Sequence, residues 1–116
     1  MRNSKTHSVT LKKKLKKSQS TFIAYNELQY AFGIKLDSNP NIVEIQFNVK
    51  LKGCAEGEHY TSDFCCTKTN GELMVRECVY KNKILKPMTA KLLDVSRNYW
   101  ISRGVIDWGI VINGTQ

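Results

Sequence analysis

Apolar and polar residues alternate from Ile42 to Leu51, with Val43, Ile45, Phe47, Val49 and Leu51 set against Glu44, Gln46, Asn48 and Lys50. A period of two over that length predicts a strand with one buried face. Ahead of it, Leu28, Ala31, Phe32 and Leu36 fall at helical spacing, and Asp37-Ser38-Asn39-Pro40 supplies the turn that ends the helix. Tyr60 to Thr67 and Glu72 to Lys81 read as second and third strands, joined through a hairpin turn at Thr69-Asn70-Gly71. Pro87 opens a second helix on which Met88, Leu92, Val95 and Tyr99 share a side, and Gly104 is placed to end it. An apolar strand from Asp107 to Ile112 follows. A helical crossover returns this strand parallel to the third. The predicted fold is α/β, in the order α-β-β-β-α-β, with a mixed central sheet flanked by helices.

Length sets the scale: 116 residues suffice for one domain with a modest core. No apolar run is long enough to span a membrane, and no charged-then-apolar leader opens the chain, so the expected setting is the cytoplasm, with no membrane partner. Cys54, Cys65, Cys66 and Cys78 lie in strand-like segments and not in a spaced framework, which reads as reduced core thiols. Cys54, His59 and Cys65 lack the paired spacing of a structural zinc site.

The net charge of +8 is unevenly placed. Residues 1–24 hold seven basic residues and no acid, whereas residues 25–116 hold eleven basic residues against ten acids. This divides the chain into a flexible basic arm, 1–24, and a single domain, 25–116. An arm carrying Lys12, Lys13, Lys14, Lys16 and Lys17 suits a nucleic acid backbone, bound by counterion release. The plainer reading is a solubilising tail.

The candidate chemistry lies in two acids on neighbouring strands. Asp63 and Glu77 flank the predicted hairpin, so both carboxylates can reach a shared point and hold a hard divalent cation. Glu27, near the start of the first helix, is a candidate third oxygen ligand. Trp100 and Trp108 read as packing aromatics, and His59 as a strand-edge histidine.

Several stretches together carry a family likeness. They are Asn26-Glu27-Leu28, the strand His59-Tyr60-Thr61-Ser62-Asp63-Phe64, Val75-Arg76-Glu77-Cys78-Val79, and Arg97-Asn98-Tyr99-Trp100 leading to Asp107-Trp108-Gly109. From about Asn26 to Ile112 the chain resembles the N-terminal endonuclease domain of TnsA-type heteromeric transposases, within the PD-(D/E)XK nuclease superfamily. The resemblance implies a restriction-endonuclease-like fold, Mg²⁺- or Mn²⁺-dependent cleavage of DNA at the end of a mobile element, and a transposase partner. It implies Glu27 as the helix carboxylate, Asp63 as the central metal ligand, and Glu77 as the first member of the acid-x-Lys unit.

Two positions depart from the family pattern. Ser62 stands where the family has proline, and Val79 stands where it has the catalytic lysine. Lys81, on the same strand face as Val79 but about 7 Å further along, is the candidate replacement. Two expectations follow. One is a small TnsA-like endonuclease using Glu27, Asp63, Glu77 and Lys81. The other is a nuclease-fold protein of a phage or other mobile element that has lost turnover and serves as a nucleic-acid-binding or inhibitory module.

Overall fold

The computed structural model describes residues 2–3, 10–54 and 60–114, residues 2 and 3 by backbone alone. Its elements are β1 (Arg2–Asn3), β2 (Leu11–Lys13), β3 (Phe22–Ala24), α1 (Glu27–Asp37), β4 (Ile42–Lys50), β5 (Tyr60–Lys68), β6 (Leu73–Val79), α2 (Pro87–Ser102) and β7 (Asp107–Ile112). The predicted α-β-β-β-α-β order runs from α1 to β7. β4, β5 and β6 pair antiparallel in turn, and β7 pairs parallel to β6, making the mixed sheet. Among the described residues no helix is long and apolar enough to cross a membrane.

Local chemistry fixes the boundaries. Asn26 caps α1 by accepting the Gln29 amide on its side chain at 2.8 Å. Gly71 adopts φ +88° in the β5–β6 turn, which a glycine tolerates without strain. Pro87 stands in the first turn of α2, where its missing N–H costs nothing.

Each face of the sheet has its own core. On one, α1 and the β2–β3 pair cover Ile42, Ile45, Phe64, Cys66, Met74 and Cys78. On the other, Trp100 of α2 packs with Leu51, Tyr60, Cys65, Val75 and Val105. The four cysteines are free thiols, three of them buried. Burial pushes Cys65 to about 11 and Cys66 to about 12, so both stay protonated at neutral pH.

The structure corrects several expectations. Residues 10–24 do not stand off as an arm: Leu15, Phe22 and Ala24 are buried in the first core. Lysines had masked an apolar segment that the α1 face of the sheet needs. The β4 alternation also breaks. Val43 is exposed, because the β4–β5 register shifts between Ile42 and Glu44. Further along, Ile45 and Phe47 face the first core, while Val49 and Leu51 face the second. The cause is Asn48, which adopts φ +51° and turns the strand over.

Leu36 is buried as predicted, and Leu28, Phe32, Leu92, Val95 and Tyr99 pack against the cores, but the deepest positions otherwise lie about one residue beyond the predicted seam. The buried positions of α1 are Gln29, Gly33 and Leu36, and those of α2 are Leu93, Ser96 and Trp100. Met88, expected inside, is exposed, and Leu92, Val95 and Tyr99 flank the seam half-buried. Finally, β6 ends at Val79, and residues 81–83 form a 3₁₀ turn, so Lys81 is not on that strand.

Candidate functional site

Asn48 shapes the site from outside it. Its Nδ2 donates to the Ile23 carbonyl at 2.8 Å, and its Oδ1 accepts from Gln29 Nε2 at 2.8 Å. Opposite this turn-over β5 changes face too: Phe64 points to the α1 side, but the Ser62 hydroxyl accepts a 2.8 Å bond from Trp100 Nε1 on α2. Asp63 lies between them, at the change of face. The β5–β6 ladder reaches Phe64 opposite Arg76 and goes no further. Beyond that pair, β1 lies beside β5, opposite Tyr60 and Thr61.

At this fork the two acids replace the ladder. The Asp63 amide donates to Glu77 Oε1 at 2.9 Å, and the Cys78 amide donates to Asp63 Oδ2 at 2.7 Å. Each carboxylate therefore satisfies a backbone N–H of the opposite strand. Both side chains are fully buried. Glu77 Oε2 accepts the Ser96 hydroxyl at 2.6 Å, and Ser96 Oγ in turn accepts from Trp108 Nε1 at 3.0 Å. The network joins β5, β6, β7 and α2 through charge-assisted bonds, which are the strong ones in a dry interior.

Burial, and next the adjacent Asp63 carboxylate, raise the Glu77 carboxyl from its usual 4.5 to about 7. Tyr60 lies against Glu77 and Ser96, and its buried hydroxyl meets hydrogen-bond geometry with no partner among the described residues. Burial, then the Glu77 and Asp63 charges, raise it well above its usual range, so it is a neutral wall of the site.

No protein-family model and no curated protein matches the chain.

Asp63 and Glu77 come together as the sequence suggests; the other expected members do not join them. Glu27 is exposed at the start of α1, where it rims an open cleft of about 430 Å³ with Lys35, Tyr80 and Asn113. Lys81 is also exposed, its amide donating to Asn113 Oδ1 at 2.7 Å and its Nζ to the Gly114 carbonyl at 3.4 Å. Val79 is buried in β6. Among the cationic positions, Lys12, Lys13, Lys14 and Lys16 are exposed, while Lys17 is half-buried with its Nζ bonded to the Asn39 carbonyl. His59 lies outside the described residues.

Three of the four carboxylate oxygens of this pair are engaged by protein donors and not turned toward an ion. Mg²⁺ takes near-octahedral oxygens and keeps several waters, which needs an open face beside the carboxylates. Among the described residues no group of three His, Cys, Asp or Glu side chains converges as a metal site requires. What the arrangement does chemically is to hold a forked sheet shut.

Sequence reasoning missed Ser96, the residue on which Glu77 and Trp108 meet. A signal existed. Leu93, Ser96 and Trp100 recur at helical spacing, but a serine at the centre of that seam becomes credible only once a buried carboxylate is placed opposite it.

Proposed function

We propose that this chain is a nucleic-acid-binding protein on a restriction-endonuclease-like scaffold, related to the TnsA-type domain, which binds DNA beside a transposase-like partner without cleaving it. The observation that carries the reading is the buried exchange between Asp63 and Glu77, whose oxygens serve Asp63 N–H, Cys78 N–H and Ser96 in place of a metal. Val79, where a catalytic lysine is expected, supports loss of turnover, and exposed Lys12, Lys13, Lys14 and Lys16 support retained binding. The element order and two acids at a strand fork support the ancestry.

A plasmid-nicking assay with Mg²⁺ and Mn²⁺ tests this, run beside duplex binding by fluorescence anisotropy across a salt series. The expected result is binding that weakens steeply with salt, no cleavage above that of Asp63→Ala, and a melting temperature indifferent to Mg²⁺ or EDTA. Metal-dependent nicking by the wild type that Asp63→Ala abolishes would restore the enzyme reading.

A further inference from the structure

Residues 25–116, nearly neutral in sum, carry their charge unevenly along the sequence. Residues 81–106 contain six basic residues against Asp94 alone, a net +5. The remainder of that span, residues 25–80 and 107–116, holds five basic residues against nine acids, a net −4. The positive stretch begins with Lys81, Lys83, Lys86 and Lys91, and no acid occurs between Lys81 and Asp94. Lys83, Lys86 and Lys91 are all exposed.

Within this turn sits the most exposed large apolar side chain of the described residues. Leu85 is 92% exposed, and Met88 beside it is 63% exposed. Leu85 is held outward by a folded backbone: the Lys83 amide donates to the Tyr80 carbonyl at 2.9 Å, Ile84 to Lys81 at 3.3 Å, and Lys86 to Lys83 at 3.1 Å. The Lys86 carbonyl then accepts from Ala90 at 3.0 Å, tying the turn to α2. At its base, the Tyr80 hydroxyl accepts the Leu28 amide of α1. An apolar tip fixed in water among lysines, at no local gain in packing, is pre-organised for a partner.

We infer that residues 81–91, the turn ahead of α2 and its first helical residues, contact duplex DNA, their lysines meeting phosphates while Leu85 enters a base step as an apolar wedge. This rests on the DNA-binding reading above and adds the surface and the mode of contact. Charge complementarity favours a polyanion, and a narrow apolar tip flanked by cations matches the geometry that unstacks and kinks a duplex. A membrane surface fits less well, because an interfacial helix needs a broad apolar face. The apolar face of α2, with Leu93 and Trp100, is turned into the sheet.

The test uses the full chain and a duplex carrying 2-aminopurine, whose fluorescence rises when its step is unstacked. Binding is read by anisotropy over a salt series for the wild type, Leu85→Ala and the triple variant Lys83→Ala/Lys86→Ala/Lys91→Ala. All these side chains are exposed, so the fold is kept. The triple variant is expected to lower the salt slope by about 2 to 3. Leu85→Ala is expected to keep the slope, weaken binding about fivefold and abolish the fluorescence rise. Duplex binding that the triple variant leaves intact overturns this inference alone, since the contact then lies elsewhere. A lysine effect without a leucine effect overturns the wedge. A wild type that binds no duplex overturns both this inference and the reading beneath it, and Leu85-dependent binding to phosphatidylserine vesicles in its place assigns the turn to a membrane.

Discussion

Asp63 accepts the Cys78 amide at 2.7 Å and Glu77 accepts the Asp63 amide at 2.9 Å, each carboxylate taking a backbone N–H of the other's strand at the fork. A pair that reads as metal ligands in sequence acts here as two rungs of a sheet. Removing either carboxylate leaves a buried N–H without its acceptor, which costs about 1–3 kcal/mol. Asp63→Ala and Glu77→Ala are therefore expected to lower the urea midpoint, whereas a pair of solvated strand acids would leave it unmoved.

The raised Glu77 carboxyl gives the fold an unusual pH dependence. Its pKa is about 7 in the folded chain against a usual 4.5, so between those values the folded state binds a proton that the unfolded state has released. Stability from this group is complete below about pH 4.5 and falls as pH rises toward 7, with a slope approaching 1.4 kcal/mol per pH unit. Asp107 acts in the opposite sense: its bond to Lys68, and the Arg76 guanidinium, lower its pKa, so its contribution is lost as pH falls through the acid range. Urea midpoints for the wild type should thus decline from pH 5 to pH 8, and Glu77→Gln should flatten that decline. A wild-type midpoint that rises over the same interval would contradict it.

Asn48 makes a separable prediction, because its backbone and its side chain do different things. Its φ of +51° favours glycine or asparagine, while its amide bridges Gln29 Nε2 and the Ile23 carbonyl. Asn48→Gly keeps the backbone and loses the two bonds. Asn48→Ala loses the bonds and adds left-handed strain of about 1 kcal/mol. Chemical denaturation should rank the wild type above Asn48→Gly and Asn48→Gly above Asn48→Ala; equal losses would show that the backbone reversal carries no strain.

Asn48 also shows where the sequence stopped being legible. Alternation presumes an unbroken extended backbone and so puts Val49 and Leu51 on the face of Ile45, whereas the left-handed Asn48 turns them to the other core. Element order was readable because signals such as the Thr69-Asn70-Gly71 turn and Pro87 are local, and the helical crossover dictates the parallel return of β7. The centres of the helix faces were not, since Gln29, Gly33 and Ser96 take those positions only through partners distant in sequence. The carboxylate pair was visible as a pair, but its role depends on burial and on Ser96, and neither leaves a mark in the spacing of acids.

The N-terminal segment gives the last prediction, and it concerns how the DNA-binding role is tested. Phe22 is fully buried, with its ring centroid 5.2 Å from that of Phe47 and 5.6 Å from that of Phe64. It reaches α1 because residue 33 is glycine: a Cβ there would lie 2.4 Å from the Phe22 ring. The ring is hemmed in and cannot retreat, so Gly33→Ala is expected to cost about 2–3 kcal/mol by overpacking. Phe22→Leu should recover part of that loss in the double variant, since the two sites share one space. Deleting residues 1–24 removes Leu15, Phe22 and Ala24 from the first core and should abolish cooperative unfolding, so the truncated chain says nothing about an arm. Lys12→Ala/Lys13→Ala/Lys14→Ala changes exposed positions only and should keep stability within about 0.5 kcal/mol while lowering the salt slope of duplex binding. A truncated chain that still unfolds cooperatively, or a Gly33→Ala variant as stable as the wild type, would return residues 10–24 to the status of an appended tail.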